Sequence, residues 1–159
     1  MPDVFVGLGS NADPVAALRA AVAALEQRYG AVRCSAVYRS PAVGVPAADY
    51  LNLVVALHTE EDVAVLRDAL RSIETQAGRQ RADPAITALD LDLLLYGNRV
   101  DAERKVPRPK LFTLPFVLAP LAELAPDLVH PVTGQSTSAA WRAAPHGSLT
   151  NLGALRSLA

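Results

Sequence analysis

Hydrophobic positions change period several times along the chain, and each change predicts an element. Val4, Val6 and Leu8 alternate with Phe5 and Gly7, the period of a strand, as far as the turn-forming Gly9-Ser10-Asn11. Val15, Leu18, Val22, Leu25 and Tyr29 then recur at helical spacing. Asp13 reads as the N-cap, Pro14 as the first helical residue and Gly30 as the stop, giving about four turns. Val32 to Arg39 alternates again and predicts a second strand, followed by a proline- and glycine-bearing loop from Pro41 to Asp49. Tyr50 to His58 predicts a third strand, with Leu51, Leu53, Val55 and Leu57 on one face and Tyr50, Asn52, Val54, Ala56 and His58 on the other. Thr59-Glu60-Glu61-Asp62 reads as a helix start with acids in its first turn, Val63, Leu66, Leu70 and Ile73 as its buried stripe and Gly78 as its end.

Leu89 to Tyr96, LDLDLLLY, is the last strong strand signal. As a strand it projects Asp90 and Asp92 to one side and Leu89, Leu91, Leu93 and Leu95 to the other. Gly97-Asn98 predicts a turn, Val100 to Val106 a short returning strand, and Pro107-Arg108-Pro109-Lys110 a rigid basic loop. Phe116 to Ala125 predicts a short helix in which Pro120 is tolerable only near the first turn. Ser136 to Trp141 predicts one more helical turn, and the weakly patterned 143–159 is expected to be the least ordered part. Interleaved strands and helices with short links predict an α+β fold, one sheet covered by helices, in a single domain spanning 1–159.

Composition narrows the function. Apolar content of 51% with 19% charged residues is globular rather than disordered. A formal charge of −1 with no basic run argues against broad capture of nucleic acid. Cys34 has no partner for an internal disulfide, which suits a reducing compartment, and it reads as a small core residue. No signal-peptide pattern and no apolar run of membrane-spanning length is visible, so the expectation is a soluble, cytoplasmic protein without a membrane partner.

Three groups of residues suggest chemistry, each with an ordinary alternative. Two carboxylates a few ångströms apart repel unless a cation lies between them or one keeps a proton. Asp90 and Asp92 are therefore either a hard-metal site, of the kind Mg²⁺ shares with substrate phosphates, or two exposed acids on an edge strand. Tyr50 and Asn52 can stack on and hydrogen-bond a flat heterocycle, or can be a strand-end pair satisfied by solvent. Arg79 and Arg81, in the loop that delivers the chain to the aspartates, can meet phosphate or can be solvated cations at a helix C-terminus.

Taken together, VFVGLGSN, YRSPAVGVPAADYLNLVVAL, IETQAGR, LDLDLLLYG and PFVLAPLAELAPDLVHP resemble, from Val4 to about Pro131, the 6-hydroxymethyl-7,8-dihydropterin pyrophosphokinases of folate synthesis. The resemblance implies a ferredoxin-like α/β sandwich on a largely antiparallel sheet, and transfer of pyrophosphate from the co-substrate ATP to the pterin hydroxymethyl, leaving AMP. It implies Asp90 and Asp92 as catalytic ligands of two Mg²⁺ ions between the nucleotide phosphates and the pterin hydroxyl. It implies Tyr50 and Phe116 as the aromatics that sandwich the pterin, Asn52 as its amide partner, and Ser40, Pro41 and Val43 as the loop reading the rest of its edge. Glu74 and Arg79 fall where the family touches nucleotide, Arg79 as a catalytic group too, and Arg81, Arg108 and Lys110 are further candidates for the ATP side. Small-molecule partners and a monomer or weak homo-oligomer are implied.

The chain also departs from the family pattern. An Arg-Trp-Gly-Pro-Arg-Thr run usual before the aspartates is here Asp83-Pro84-Ala85-Ile86-Thr87-Ala88, in a shorter loop. A His-Tyr pair expected after Pro107 is Arg108-Pro109, an arginine expected before Phe116 aligns with Leu114, and a nucleotide-side glutamine aligns with Arg71. The pterin wall and metal pair are kept while the phosphate cradle is depleted, with Arg81, Arg104, Lys105, Arg108 and Lys110 as candidate replacements. Two functions are compatible with this: a working pyrophosphokinase with a rearranged ATP side, or a catalytically weak or altered-specificity homologue that binds a pterin as a binding or regulatory module.

Overall fold

The computed structural model describes residues 2–42, 44, 46–78, 83 and 85–159. In chain order the elements are β1 (Asp3–Ser10), α1 (Pro14–Tyr29), β2 (Arg33–Cys34), β3 (Val37–Ser40), β4 (Tyr50–His58), α2 (Val63–Gln76), β5 (Asp90–Tyr96), α3 (Pro115–Leu124), α4 (Thr137–Ala143) and β6 (Thr150–Gly153). One sheet is ordered β5-β1-β4-β3-β6, with β2 also on β4, and every pairing is antiparallel. With β2 and β3 counted as one interrupted strand, the chain through β5 runs βαββαβ with β1 and β4 central, the expected ferredoxin-like arrangement.

Both faces of the sheet are covered. Leucines and valines of β1, β4 and β5 pack on one face against Leu18 and Leu25 of α1 and Leu66 and Leu70 of α2. On the other, Phe5, Val54, Ala56, Leu94 and Leu95 meet Val117 and Leu121 of α3. Glu123 ties α3 to the sheet, its carboxylate accepting from the Ala36 amide (2.9 Å) and the Tyr38 hydroxyl (2.7 Å). The helix covers only part of its face, which leaves the end of the sheet near Gly7 and Gly9 open.

Several expectations are corrected. The strand expected over Val32 to Arg39 is broken: Cys34 pairs with Val55 but Tyr38 with Asn52, a register step of one residue. Ser35 absorbs it, its amide donating to the Val54 carbonyl (2.9 Å) and its hydroxyl accepting from the Val54 amide (3.0 Å). Cys34, on this short strand, is exposed rather than core. In β5, Phe5 faces Leu95 while the adjacent Val6 faces Leu93, so Leu94 is the extra residue of a bulge. Leu95 therefore joins Leu94 on the α3 face, not Leu89, Leu91 and Leu93, and Tyr96 turns back to the α1/α2 face. A run of leucines carries no polar marker from which such a face switch can be read.

Asp13 precedes α1 in a left-handed conformation (φ 47°) and its side chain makes no cap bond. The acids 60–62 come before α2 rather than in its first turn. Val100 to Val106 forms no strand, only a turn closed by the pair Asp101 and Val106. Pro120 lies beyond the first turn of α3, where it has no N–H to offer the Phe116 carbonyl; burial of Val117, Leu118 and Leu121 holds the helix instead. The C-terminal segment is structured: β6 extends the sheet beside β3, and Leu155 is buried in the α1/α2 core.

Candidate active site

The site is laid out by the register of β1. Gly9 lies between Asn52 of β4 and Asp90 of β5, and Gly7 between Val54 and Asp92. Directly paired residues share a face, so two parallel rows cross the three strands, each with no side chain in the middle. With strands ~4.8 Å apart, the walls of this glycine-floored trough stand about 10 Å from each other. A Cβ on Gly9 would meet Asn52 Oδ1 at 2.9 Å. A cavity of about 150 Å³ opens here, lined by Gly7, Leu8, Gly9, Leu53, Val54, Asp90, Asp92, Arg108, Phe116 and Val117. Pro115 starts α3 and so brings the half-buried Phe116 to its rim.

Hydrogen bonds fix the β4 wall. Asn52 is buried and donates from Nδ2 to Oγ of buried Ser40 (2.9 Å). Tyr50, paired with Ser40, has its hydroxyl 2.6 Å from Thr87 Oγ1. Thr87 is held in turn by Asn11: its amide donates to Asn11 Oδ1 (2.6 Å) and its carbonyl accepts from the Asn11 amide (3.0 Å). Asn11 Nδ2 also donates to the Ala85 carbonyl (2.8 Å). Ser10-Asn11, which the sequence suggested only as a turn, is thus the anchor of the segment leading into β5. The available signal was chemical, since an amide side chain can donate and accept at once. Pro41 is exposed just beyond Ser40, and Val43, Arg79 and Arg81 lie outside the described residues.

A second cavity of about 750 Å³ lies off the open edge of β5. It is lined by Arg67, Leu70, Arg71 and Glu74 of α2, by residues 90–93, and by Lys105, Arg108 and Pro109. Glu74 is buried and its Oε2 accepts the Leu91 amide (2.9 Å), capping the edge strand. Arg67 donates to the carbonyls of Arg104 and Lys105, which docks the 101–106 turn on α2 with Lys105 at φ 55°. Burial, with Arg71 adding to it, lowers the pKa of Arg67 from its ordinary value. Asp101 closes the turn, accepting from the Arg104 amide (3.1 Å) and guanidinium (3.0 Å).

Asp90, Asp92 and Arg108 line both cavities. Arg108 Nη1 is 3.5 Å from Asp92 Oδ2, a charge contact without hydrogen-bond geometry. Among the sequence candidates, the structure brings together Phe116, Asp90, Asp92, Arg108 and Glu74 around these cavities, with Tyr50 and Asn52 on the adjoining β4 and Ser40 beside them on β3. Lys110 is exposed and lines neither cavity, and Arg104 is engaged with Asp101. Arg67 was missed, because on a helix carrying Leu66 and Leu70 it reads as an ordinary polar-face residue. Among the described residues no three His, Cys, Asp or Glu side chains gather as a metal cage.

Residues 5–126 match the family model of 7,8-dihydro-6-hydroxymethylpterin-pyrophosphokinase. The chain belongs to this family. A 2-amino-4-hydroxy-6-hydroxymethyldihydropteridine pyrophosphokinase of Synechocystis is 42% identical over 137 residues, 82% of this chain and 70% of its own. That of Haemophilus influenzae is 37% identical over 82% of this chain and 86% of its own, and that of Pseudomonas aeruginosa 42% over 79% and 82%. Among solved structures, Plasmodium falciparum HPPK-DHPS with pteroate matches 89% of this chain with a TM-score of 0.72 at 11% identity, a likeness of fold alone. The chain spans 42% of that protein's length. The span that carries the family match contains both cavities, whereas α4 and β6 lie beyond it. Among the described residues no helix is long and apolar enough to cross a membrane.

Proposed function

We propose that this chain transfers the pyrophosphoryl group of ATP to the hydroxymethyl of 6-hydroxymethyl-7,8-dihydropterin, yielding AMP and the pterin diphosphate for folate synthesis, as one cytoplasmic domain. One observation carries the proposal: Asp90 and Asp92 line both an apolar, glycine-floored trough and a wide cationic cavity. A flat ring suits the first and a triphosphate the second, so the two reactants meet at the carboxylates.

The reaction joins the pterin hydroxyl oxygen to the β-phosphorus, releases the hydroxyl proton to water, and breaks the bond from that phosphorus to the oxygen that leaves with AMP. Transfer of this kind needs little covalent help from protein and much positioning and charge stabilisation. Mg²⁺ takes one or two protein carboxylates and completes its shell with water and phosphate, so a pair of acids, with no cage of three such ligands among the described residues, fits it. Asp90 and Asp92 would hold it, and when bound it neutralises phosphate charge and aligns the oxygens. Asn52 and Ser40 read the ring edge, Phe116 covers its face, and Arg67, Arg71, Lys105 and Arg108 supply the cationic wall that the shortened loop before Asp90 lacks. Val43 and Arg79 belong to the proposal on the family pattern alone, and Arg81 on its place in the loop before the aspartates.

The test is incubation of the protein with ATP, Mg²⁺ and the pterin, with AMP and pterin diphosphate expected in equal amounts. No AMP above a blank, with pterin binding still seen by titration, overturns it.

A further inference from the structure

Arg108 sits where the two cavities join. Its backbone is fixed, because its amide donates to the carbonyl of the bulge residue Leu94 (2.9 Å) and keeps the 107–110 loop beside the carboxylates. Its side chain is held far less. Nη1 is buried, has no hydrogen-bond partner among the described residues and only approaches Asp92 Oδ2 at 3.5 Å. Asp92 is itself 50% exposed, so water screens the pair and makes it easy to exchange. A guanidinium carries five donors in a planar fork that suits phosphate oxygens. Here the fork stands against an acid it does not grip, on the boundary with a cavity that Arg67, Arg71 and Lys105 also line.

We propose that Arg108 is a resident counter-ion of Asp92 that is exchanged when nucleotide arrives. In the free protein it offsets the repulsion between two neighbouring carboxylates and occupies the electrostatic position of a divalent cation. When a polyphosphate enters the larger cavity, the guanidinium turns to its oxygens and leaves Asp92 to the cation. Divalent cation therefore binds the free protein weakly and joins together with nucleotide. The biological sense of the exchange rests on the ATP-dependent reaction proposed above, but the exchange itself involves only Arg108, Asp92, a cation and a polyphosphate.

The experiment uses Mn²⁺, followed by its free-ion magnetic resonance signal, titrated into nucleotide-free protein and into the variants R108Q, R108K, D92N and R108Q/D92N. R108Q is expected to bind Mn²⁺ on the order of fivefold more tightly, the size of a screened single-charge contact. R108K, which keeps the charge, stays near the unaltered protein, and D92N and R108Q/D92N bind alike because the partner is gone. In a second arm, inorganic tripolyphosphate with the metal chelated binds R108Q about tenfold more weakly, the loss of one charge-assisted contact. Unchanged Mn²⁺ affinity in R108Q, a gain that persists in the D92N background, or unaltered tripolyphosphate affinity overturns the proposal. Neither arm uses pterin or turnover, so its failure is separate from failure of the AMP assay.

Discussion

The two cavities that meet at Asp90 and Asp92 are built in opposite ways. The smaller is floored by backbone at Gly7 and Gly9 and walled by short side chains on paired strands, with Asn52 locked to Ser40 and Tyr50 to Thr87. The larger lies off a sheet edge and is walled by long cations from a helix, a turn and a loop. Shape selection needs a close-packed frame, in which one methylene too many is felt. Capture of a polyphosphate needs positive charge, which long side chains supply from a range of positions. Damage to the first cavity should be steep and steric, and damage to the second graded and electrostatic.

The largest effect is expected where the cavities share residues. Asp90→Asn and Asp92→Asn should each lower kcat by about 10³-fold or more, as loss of metal-bridged charge stabilisation does. Because the Asp92 side chain is half exposed, its substitution should leave the melting temperature within a few degrees. Steady-state kinetics with both substrates saturating checks this, and near-normal turnover in either variant would remove the carboxylates from the chemistry.

The glycine floor comes next. A Cβ at position 9 comes within 2.9 Å of Asn52 Oδ1, and Asn52 has little room to retreat because Ser40 holds its other end. Gly9→Ala should weaken pterin binding about tenfold and Gly9→Val on the order of 100-fold, with stability reduced by about 1–3 kcal/mol and ATP binding nearly unchanged. Calorimetric titration of each ligand separates the two sides; pterin affinity unaffected by Gly9→Ala would show that the floor is not what shapes the trough.

The same contrast decides what was legible in the sequence. Alternation placed β1 and β4 on the right faces, and the resemblance named Tyr50, Asn52, Phe116 and the two aspartates, all on elements whose pattern is local. It did not reveal that Gly9 stands between Asp90 and Asn52 and Gly7 between Asp92 and Val54, because that follows from antiparallel register across three strands. Nor could it place the cations. Arg104 and Lys105 are neighbours, yet Arg104 turns to Asp101 while Lys105 lines the cavity, a split set by the left-handed Lys105 backbone and by Arg67 on a distant helix. Bulges at Ser35 and Leu94 were hidden for the same reason, since an extra residue shows only against its partner strand.

On the charged side, Arg67→Met removes the donors that hold the carbonyls of Arg104 and Lys105 while keeping a long apolar stem. The KM for ATP should rise about tenfold and that for the pterin stay within about twofold. An equal rise in both would mean that the turn supports the whole site and not the nucleotide half.

The smallest effect concerns the closure of that turn. The Arg104 amide, and then its guanidinium, hold the Asp101 carboxyl below its ordinary value of 3.8. With the folded value depressed, ionised Asp101 stabilises the protein above about pH 4, and that contribution is lost as pH falls through the lower folded value. Asp101→Asn keeps the shape of the side chain and deletes the charge. At neutral pH it should lower the melting temperature by about a degree or two and raise the ATP KM about twofold, with the pterin KM unmoved. The gap in melting temperature between the two proteins should then narrow as pH falls below about 4. A gap that stays constant over that range would mean that Asp101 shapes the turn through geometry alone, so that the charged side of the site is no less rigidly built at this point than the glycine-floored one.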